Sequence, residues 1–325
     1  ASFADKNVGI GKAVTVTGLV LGGADVANYA LASGDLATTA AITERGLNIV
    51  ATGVNKVYDA TNTATVTLSD DRISGDVFTT SYTNAAFASI NVGTGIVVNV
   101  SGLAIAGVDA ANYTLGTDTT TTNADITVRP LLVTATAQNK IYDGNPAVTV
   151  TLSDDHIAGE DVTVSFTAAA FADKNVGIAK PVTVSGLSLS GAGVGNYELV
   201  ATTANTTADV TAAALTANVT ADSKVYDGDT AATIASRTLT GVIAPDDVIL
   251  SGGMASFGDK NVGVGKTVSV SGLVLGGADL ANYTLASGDA ITTADILMRT
   301  LAVAALAQNK VYDGNASATV SLSDN

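Results

Sequence analysis

Between residues 131 and 212 the chain advances in short runs: "LLVTATA", "AVTVTL", "VTVSF", "PVTVSGLSL", "YELVAT" and "ADVTA". Apolar or β-branched residues take every second place, the period of a strand with one face on a core. Turn-formers separate the runs: "DGNP", "SDDHIAGED", "DKNVG" and "GAGVGN". Six to eight short strands at this spacing predict an all-β sandwich. No helical period competes. The Ala-rich "GADVANYALASG" is short and bracketed by glycines.

The pattern repeats along the whole chain. Tyr58, Tyr142, Tyr226 and Tyr312, each in a phrase such as "NKVYDG", are spaced 84, 84 and 86 residues. Tyr29, Tyr113, Tyr197 and Tyr283, each in "NY", keep the same spacing, as do Phe3, Phe87, Phe171 and Phe257. A period of about 84 exceeds solenoid repeats and suits a small domain with its own core. Modules are expected at 45–128, 129–212 and 213–298, with the C-terminal part of a module at 1–44 and the N-terminal part of another at 299–325. At the boundary "ADITVRPLLVTA" a last strand runs into a first strand without a flexible linker. The expectation is tandem sandwiches, each closing a separate core, arranged as a semi-rigid rod.

Composition narrows the function. Apolar residues are 47% of the 325, enough for real cores, while aromatics are only 5%. Net charge is −15, so a nucleic-acid backbone or an anionic membrane surface would be repelled. No apolar run is long enough to span a membrane, so no membrane insertion is expected. There is no cysteine, which excludes disulfides and thiolate chemistry.

The stretch "DAANYTL" (109–115) has the D-x-A-x-Y pattern that opens strand F of immunoglobulin-type domains, with Leu115 in the cysteine's place. Residues 25–31 and 279–285 keep it, and "GVGNYEL" (193–199) keeps the tyrosine. The physical reading is a tyrosine corner: a buried ring whose hydroxyl bonds backbone. Together, "KVYDG", "TLSDD", "FADKNVG", "VTVSGLSLSG" and "ADIT" resemble the YDG-type repeats, near the MBG group, of filamentous-haemagglutinin-like bacterial surface proteins and adhesins. The resemblance covers the whole chain; Ala60 for Gly and "SINVG" (89–93) for "DKNVG" depart from it. It implies secretion, extracellular or cell-surface display on a long immunoglobulin-like stalk, and no particular ligand.

The candidate chemistry is sparse. In "YDG", Asp and Gly suit a turn whose carboxylate caps backbone amides. Three acidic loops hold Asp70, Asp71 and Asp76; Asp154, Asp155, Glu160 and Asp161; and Asp246 and Asp247. Their carboxylates are calcium candidates, calcium being the one cofactor considered, against the plainer reading of solvated turns. Lys56, Lys140, Lys224 and Lys310 could crosslink to Asp125, Asp209 or Asp295 through isopeptide bonds; the plainer alternative is a surface ion pair. "GIGKAV" (9–14) and "GVGKTV" (263–268) lack phosphate-loop spacing and read as hairpin turns. His156 is the only histidine, so a catalytic triad has one place to form, and no enzyme is expected. The expected function is a structural stalk or fibre. The expected partners are further repeats in cis. The alternatives are a self-assembling filament, a homo-polymer completed by strand exchange at module ends, and modules that bind carbohydrate or host protein.

Overall fold

A computed structural model describes residues 1–325: strands throughout, with four three-residue 3-10 turns at Val26–Asn28, Ala110–Asn112, Val194–Asn196 and Leu280–Asn282. The Ala-rich stretches therefore carry a tight turn just before each corner tyrosine. No helix is long and apolar enough to cross a membrane.

The chain divides into two compact units. One holds Ala1–Val133, Asp154–Ser165 and Ser188–Thr202; the other holds Thr134–Ser153, Phe166–Leu187 and Thr203–Asn325. The second repeat lies wholly in the first unit. Its main sheet orders Lys56–Val57, Thr119–Thr127, Gly93–Ser101 and Asn84–Phe87. Ile49–Val54 pairs with Thr65–Asp70, Thr79–Ser81 with Ala104–Ala106, and Arg45–Leu47 runs parallel to Tyr113–Leu115. Period-two patterning builds the core. Val98 and Val100 are buried while Asn99 between them is exposed, and they cluster with Ile49, Ala51, Val66 and Phe78. Each buried valine contributes about 1.5 kcal/mol of transfer free energy.

The fourth repeat, wholly in the second unit, has the same plan. A five-stranded sheet orders Lys224–Val225, Ala290–Leu297, Gly263–Gly276, Ile249–Phe257 and Ala231–Ala232. Ala213–Ala221 pairs with Ile234–Thr240 and, in parallel, with Tyr283–Leu285.

Three expectations need correction. "GIGKAV" and "GVGKTV" are not hairpin turns. They open the strands Gly9–Val16 and Gly263–Gly276, where a β-bulge shifts the register between Gly9 and Lys12 and between Gly263 and Lys266. In the fourth repeat the bulge amide of Gly265 donates to Asp295 Oδ1 at 2.7 Å. Asp125 serves Gly95 in the same way at 2.7 Å. The carboxylates considered for a crosslink are therefore bulge caps, and the lysines, though on the neighbouring strand, turn their ammonium groups to other partners. Lys56 Nζ sits 2.7 Å from Asp59 and donates to Thr61 O and Thr63 O.

The third correction concerns the separate cores. One buried cluster runs from Leu47 and Tyr58 of the second repeat to Val162 and Tyr197 of the third. The interior mixes Val and Ala with Leu, Ile and Phe, and the Tyr58 ring completes its burial on the neighbouring repeat, against Tyr197.

Candidate functional site: the joint between repeats

The strand Lys56–Val57 lies parallel at the end of Thr119–Thr127, and Tyr58 N donates to Thr127 O at 2.9 Å. Tyr58 thus leaves the sheet where the chain enters the next repeat. The next residues form an Asx turn: Asp59 Oδ1 accepts from Thr61 N at 2.9 Å, and Asp143 accepts from Asn145 N at 3.1 Å. Gly144 takes φ +80° there, and Ala60 takes +61° in its own copy.

The Tyr58 hydroxyl donates to Glu160 Oε1 of the third repeat, and Tyr197 donates to Glu160 Oε2. The two rings meet edge to face, with centroids 5.7 Å apart. Tyr197 in turn accepts from Ile157 N at 3.0 Å, so the corner hydroxyl holds both backbone and carboxylate. Beside this, Asn196 clasps the preceding repeat. Its Oδ1 accepts from Val92 N at 3.0 Å and its Nδ2 donates to Asn91 Oδ1 at 3.3 Å. The 3-10 turn presents this asparagine immediately before the corner tyrosine.

The same joint forms between the third and fourth repeats. Tyr142 and Tyr283 donate to Asp246 Oδ2 at 2.6 and 2.7 Å, with ring centroids 5.4 Å apart. Ile243 N donates to Tyr283 OH at 3.1 Å. Asn282 accepts from Val176 N at 2.9 Å and donates to Asn175 Oδ1 at 3.2 Å. Here a cation joins: Lys174 Nζ lies 2.7 Å from Asp246 Oδ1. Between the first and second repeats, Lys6 reaches Asp76 at 2.6 Å and Asp109 at 3.0 Å. Tyr113 donates to Asp76 at 2.6 Å, and Asn112 accepts from Val8 N at 2.8 Å.

These contacts set the protonation states. The Lys174 ammonium, then the Tyr142 hydroxyl, hold the Asp246 carboxyl at about 2, and the same bonds raise Lys174. Lys6, then Tyr113, lower Asp76. Burial, then Glu160, pushes the Tyr58 phenol up to about 12; burial, then Asp246, does the same to Tyr283. At Asp246 the joint is therefore a carboxylate held by a lysine and two neutral tyrosine donors.

Of the acidic candidates only Asp76, Glu160 and Asp246 enter a joint. Asp70 holds Arg72, whose Nη1 reaches Phe78 O. Asp154 pairs with His156. Asp71, Asp155, Asp161 and Asp247 accept from the amides of Asn48, Leu132, Ala192 and Ala278. No group of three or more acidic or histidine side chains is placed to hold a metal ion. Tyr29 and Tyr312 are exposed, and Tyr226 is half-buried. Sequence reasoning missed that the two tyrosine series meet. The signal was present: Asp76, Glu160 and Asp246 recur at 84 and 86 residues, in step with the tyrosines.

Fold and joint together define a tandem array of immunoglobulin-like β-sandwich repeats locked by a recurring tyrosine–carboxylate contact. The chain belongs to the YDG domain family, which matches residues 1–39, 43–122, 127–207 and 211–292. Among solved structures it is similar to the crystal structure of the I9–I11 tandem from titin, at 10% identity and a TM-score of 0.21, covering 78% of this chain and all of that one. No curated protein matches the chain.

Proposed function

We propose that this chain is a non-catalytic, structural run of repeats in a secreted bacterial surface protein of the adhesin type, displayed outside the cell. The observation that supports this reading is the joint itself, built three times from the same residue positions. A stalk needs each unit to fix the next one, and a repeated interlock does that. Covalent continuity supports it too: Thr119–Thr127 passes through one residue into Arg129–Leu131, the first strand of the next repeat. Load on the chain therefore passes from repeat to repeat through strands.

Single-molecule pulling on the 325-residue chain tests the reading. One repeat of about 84 residues releases about 30 nm of contour at about 3.6 Å per residue. Discrete peaks with that increment are expected. Extension with no resisted step would refute a load-bearing role.

A further inference from the structure

The loop that meets the following repeat exists in two versions. In "DKNVGIGK" (5–12) and "DKNVGIAK" (173–180) the first aspartate accepts from the asparagine amide and pairs with the last lysine. The lysine before the asparagine, Lys6 or Lys174, reaches across to the acid of the following repeat. The second repeat reads "SINVGTGI" (89–96), so an aspartate and two lysines are gone together. Ser89 Oγ takes over the asparagine amide, accepting from Asn91 N at 3.1 Å. Ile96 packs on the core where the other loops place the pairing lysine. Ile90 holds the place of the reaching lysine and has nothing to donate. The turn itself is kept, and Asn91 and Val92 still meet Asn196.

The facing acid changes to match. Asp76, Glu160 and Asp246 leave the same backbone turn, their amides donating to Ile73, Ile157 and Ile243 O at 3.1, 3.2 and 2.9 Å. What differs is side-chain length. Asp246 gathers both tyrosines on Oδ2 and keeps Oδ1 for Lys174. Glu160, one methylene longer, gives Oε1 to Tyr58 and Oε2 to Tyr197. Both of its oxygens are then served without a lysine.

The two mismatches are unequal. Aspartate opposite isoleucine keeps the tyrosines on one oxygen and leaves the other without a donor. That place is closed to water: the Asp246 side chain is 2% exposed. A buried charge stripped of its partner is strongly unfavourable. Glutamate opposite lysine leaves every group bonded.

Resting on the reading of the joint as the device that fixes each repeat to the next, we infer that residues 90 and 160 are a specificity pair. The Ile90 loop accepts a repeat that carries glutamate and rejects one that carries aspartate. Loops with lysine take aspartate. Repeats this alike risk exchanging partners as they fold; loops 5–12 and 173–180 differ at one position, Gly11 against Ala179. A carboxylate left unpaired in the wrong joint discriminates between such neighbours where shape does not.

A double-mutant cycle in the 325-residue chain tests the pair. Amide exchange at Val92 reads the joint of the second and third repeats, and Val176 reads that of the third and fourth. Glu160→Asp alone should speed Val92 about tenfold or more, the loss of one bond to a buried charge. Adding Ile90→Lys should bring Val92 back to within about threefold of wild type. In the other joint, Lys174→Ile should speed Val176 about tenfold, and Asp246→Glu on that background should recover most of the loss. A Glu160→Asp rate equal to wild type overturns the pairing. So does an Ile90→Lys/Glu160→Asp rate equal to that of Glu160→Asp. If Glu160→Asp unfolds the third repeat, the swap at 174 and 246 decides by the same criterion. Asn196→Ala separates this inference from the reading beneath it, because it removes the acceptor of the Val92 amide whichever acid is present. Val92 speeded by Asn196→Ala, with no rescue in the double variant, overturns the pairing alone. Val92 unmoved by Asn196→Ala overturns the joint, and the pairing with it.

Discussion

Asp246→Asn isolates what the carboxylate contributes to a joint. The side chain is 2% exposed and takes three donors, from Lys174, Tyr142 and Tyr283. Asparagine keeps its shape and removes its charge. The gap between the ordinary 3.8 and about 2, at about 1.36 kcal/mol per pH unit, favours the ionised form by about 2.5 kcal/mol. Lys174 is 34% exposed, so solvent screening trims this to about 2 kcal/mol. A second route agrees: one hydrogen bond to a charged group is worth about 1.5–3 kcal/mol. About 2 kcal/mol should speed opening of this joint about 30-fold. Exchange of the Val176 amide, which donates to Asn282 across the joint, reads that opening. Val92, in the neighbouring joint, is the control and should not move. The sign with pH follows. The folded carboxyl titrates below its unfolded value, so its stabilisation is complete above about pH 4 and is lost as pH falls towards about 2. The wild-type joint should weaken over that window, and Asp246→Asn should remove this site's share of the dependence. An unchanged Val176 rate, or an equal change at Val92, would refute the reasoning.

Four further outcomes are expected. Tyr58→Phe keeps the ring on Tyr197 but removes the donor to Glu160; a cost of about 1–3 kcal/mol should lower the urea midpoint and speed Val92 exchange. Leu215→Ala empties a fully buried position that clusters with Tyr142 and Tyr283; a loss of about 2–5 kcal/mol is expected by calorimetry. Ala60→Gly and Ala179→Gly relieve left-handed backbone at φ +61° and +50°, and each should stabilise by about 1 kcal/mol in urea titrations. Gly107→Ala places a Cβ 2.6 Å from Phe78 Cα at φ +146°, so a loss of about 1–3 kcal/mol should appear as a lower melting temperature.

The strands and the period were legible because both are written in local spacing. Alternation at Val98, Asn99 and Val100 announces a half-buried strand in three letters. The joint was not legible in that way. Its tyrosine and asparagine bonds between repeats link residues 102 to 107 positions apart, such as Tyr58 to Glu160 and Val176 to Asn282. That is one period plus about twenty residues, and the extra twenty come from folding. The acidic loops were visible as loops, yet nothing local separates Glu160, which meets two tyrosines, from Asp161, which accepts a backbone amide. The third repeat's swap to Ile90 and Glu160 was also in the letters. It acquires meaning only once the two residues are known to face the same joint.

The placement of aromatic residues explains why neighbours depend on each other. Val98, Val182 and Val268 are fully buried, in cores that also hold Leu, Ile and Phe side chains. The tyrosine of the YDG phrase lies at the repeat edge, where a neighbour finishes covering it: Tyr58 and Tyr142 are 2% exposed against a following corner tyrosine, whereas Tyr226 is half-buried. Stability in such an array divides into an intrinsic term for each repeat and an interface term for each joint. The interface term here holds a ring, a carboxylate and an asparagine clasp, each made of parts from both sides. A repeat with one joint open should therefore unfold before a repeat joined on both sides. Pulse proteolysis in graded urea should cut within 213–298 before 45–128. Cleavage in the reverse order would mean that the sandwich cores, not the joints, decide the ranking.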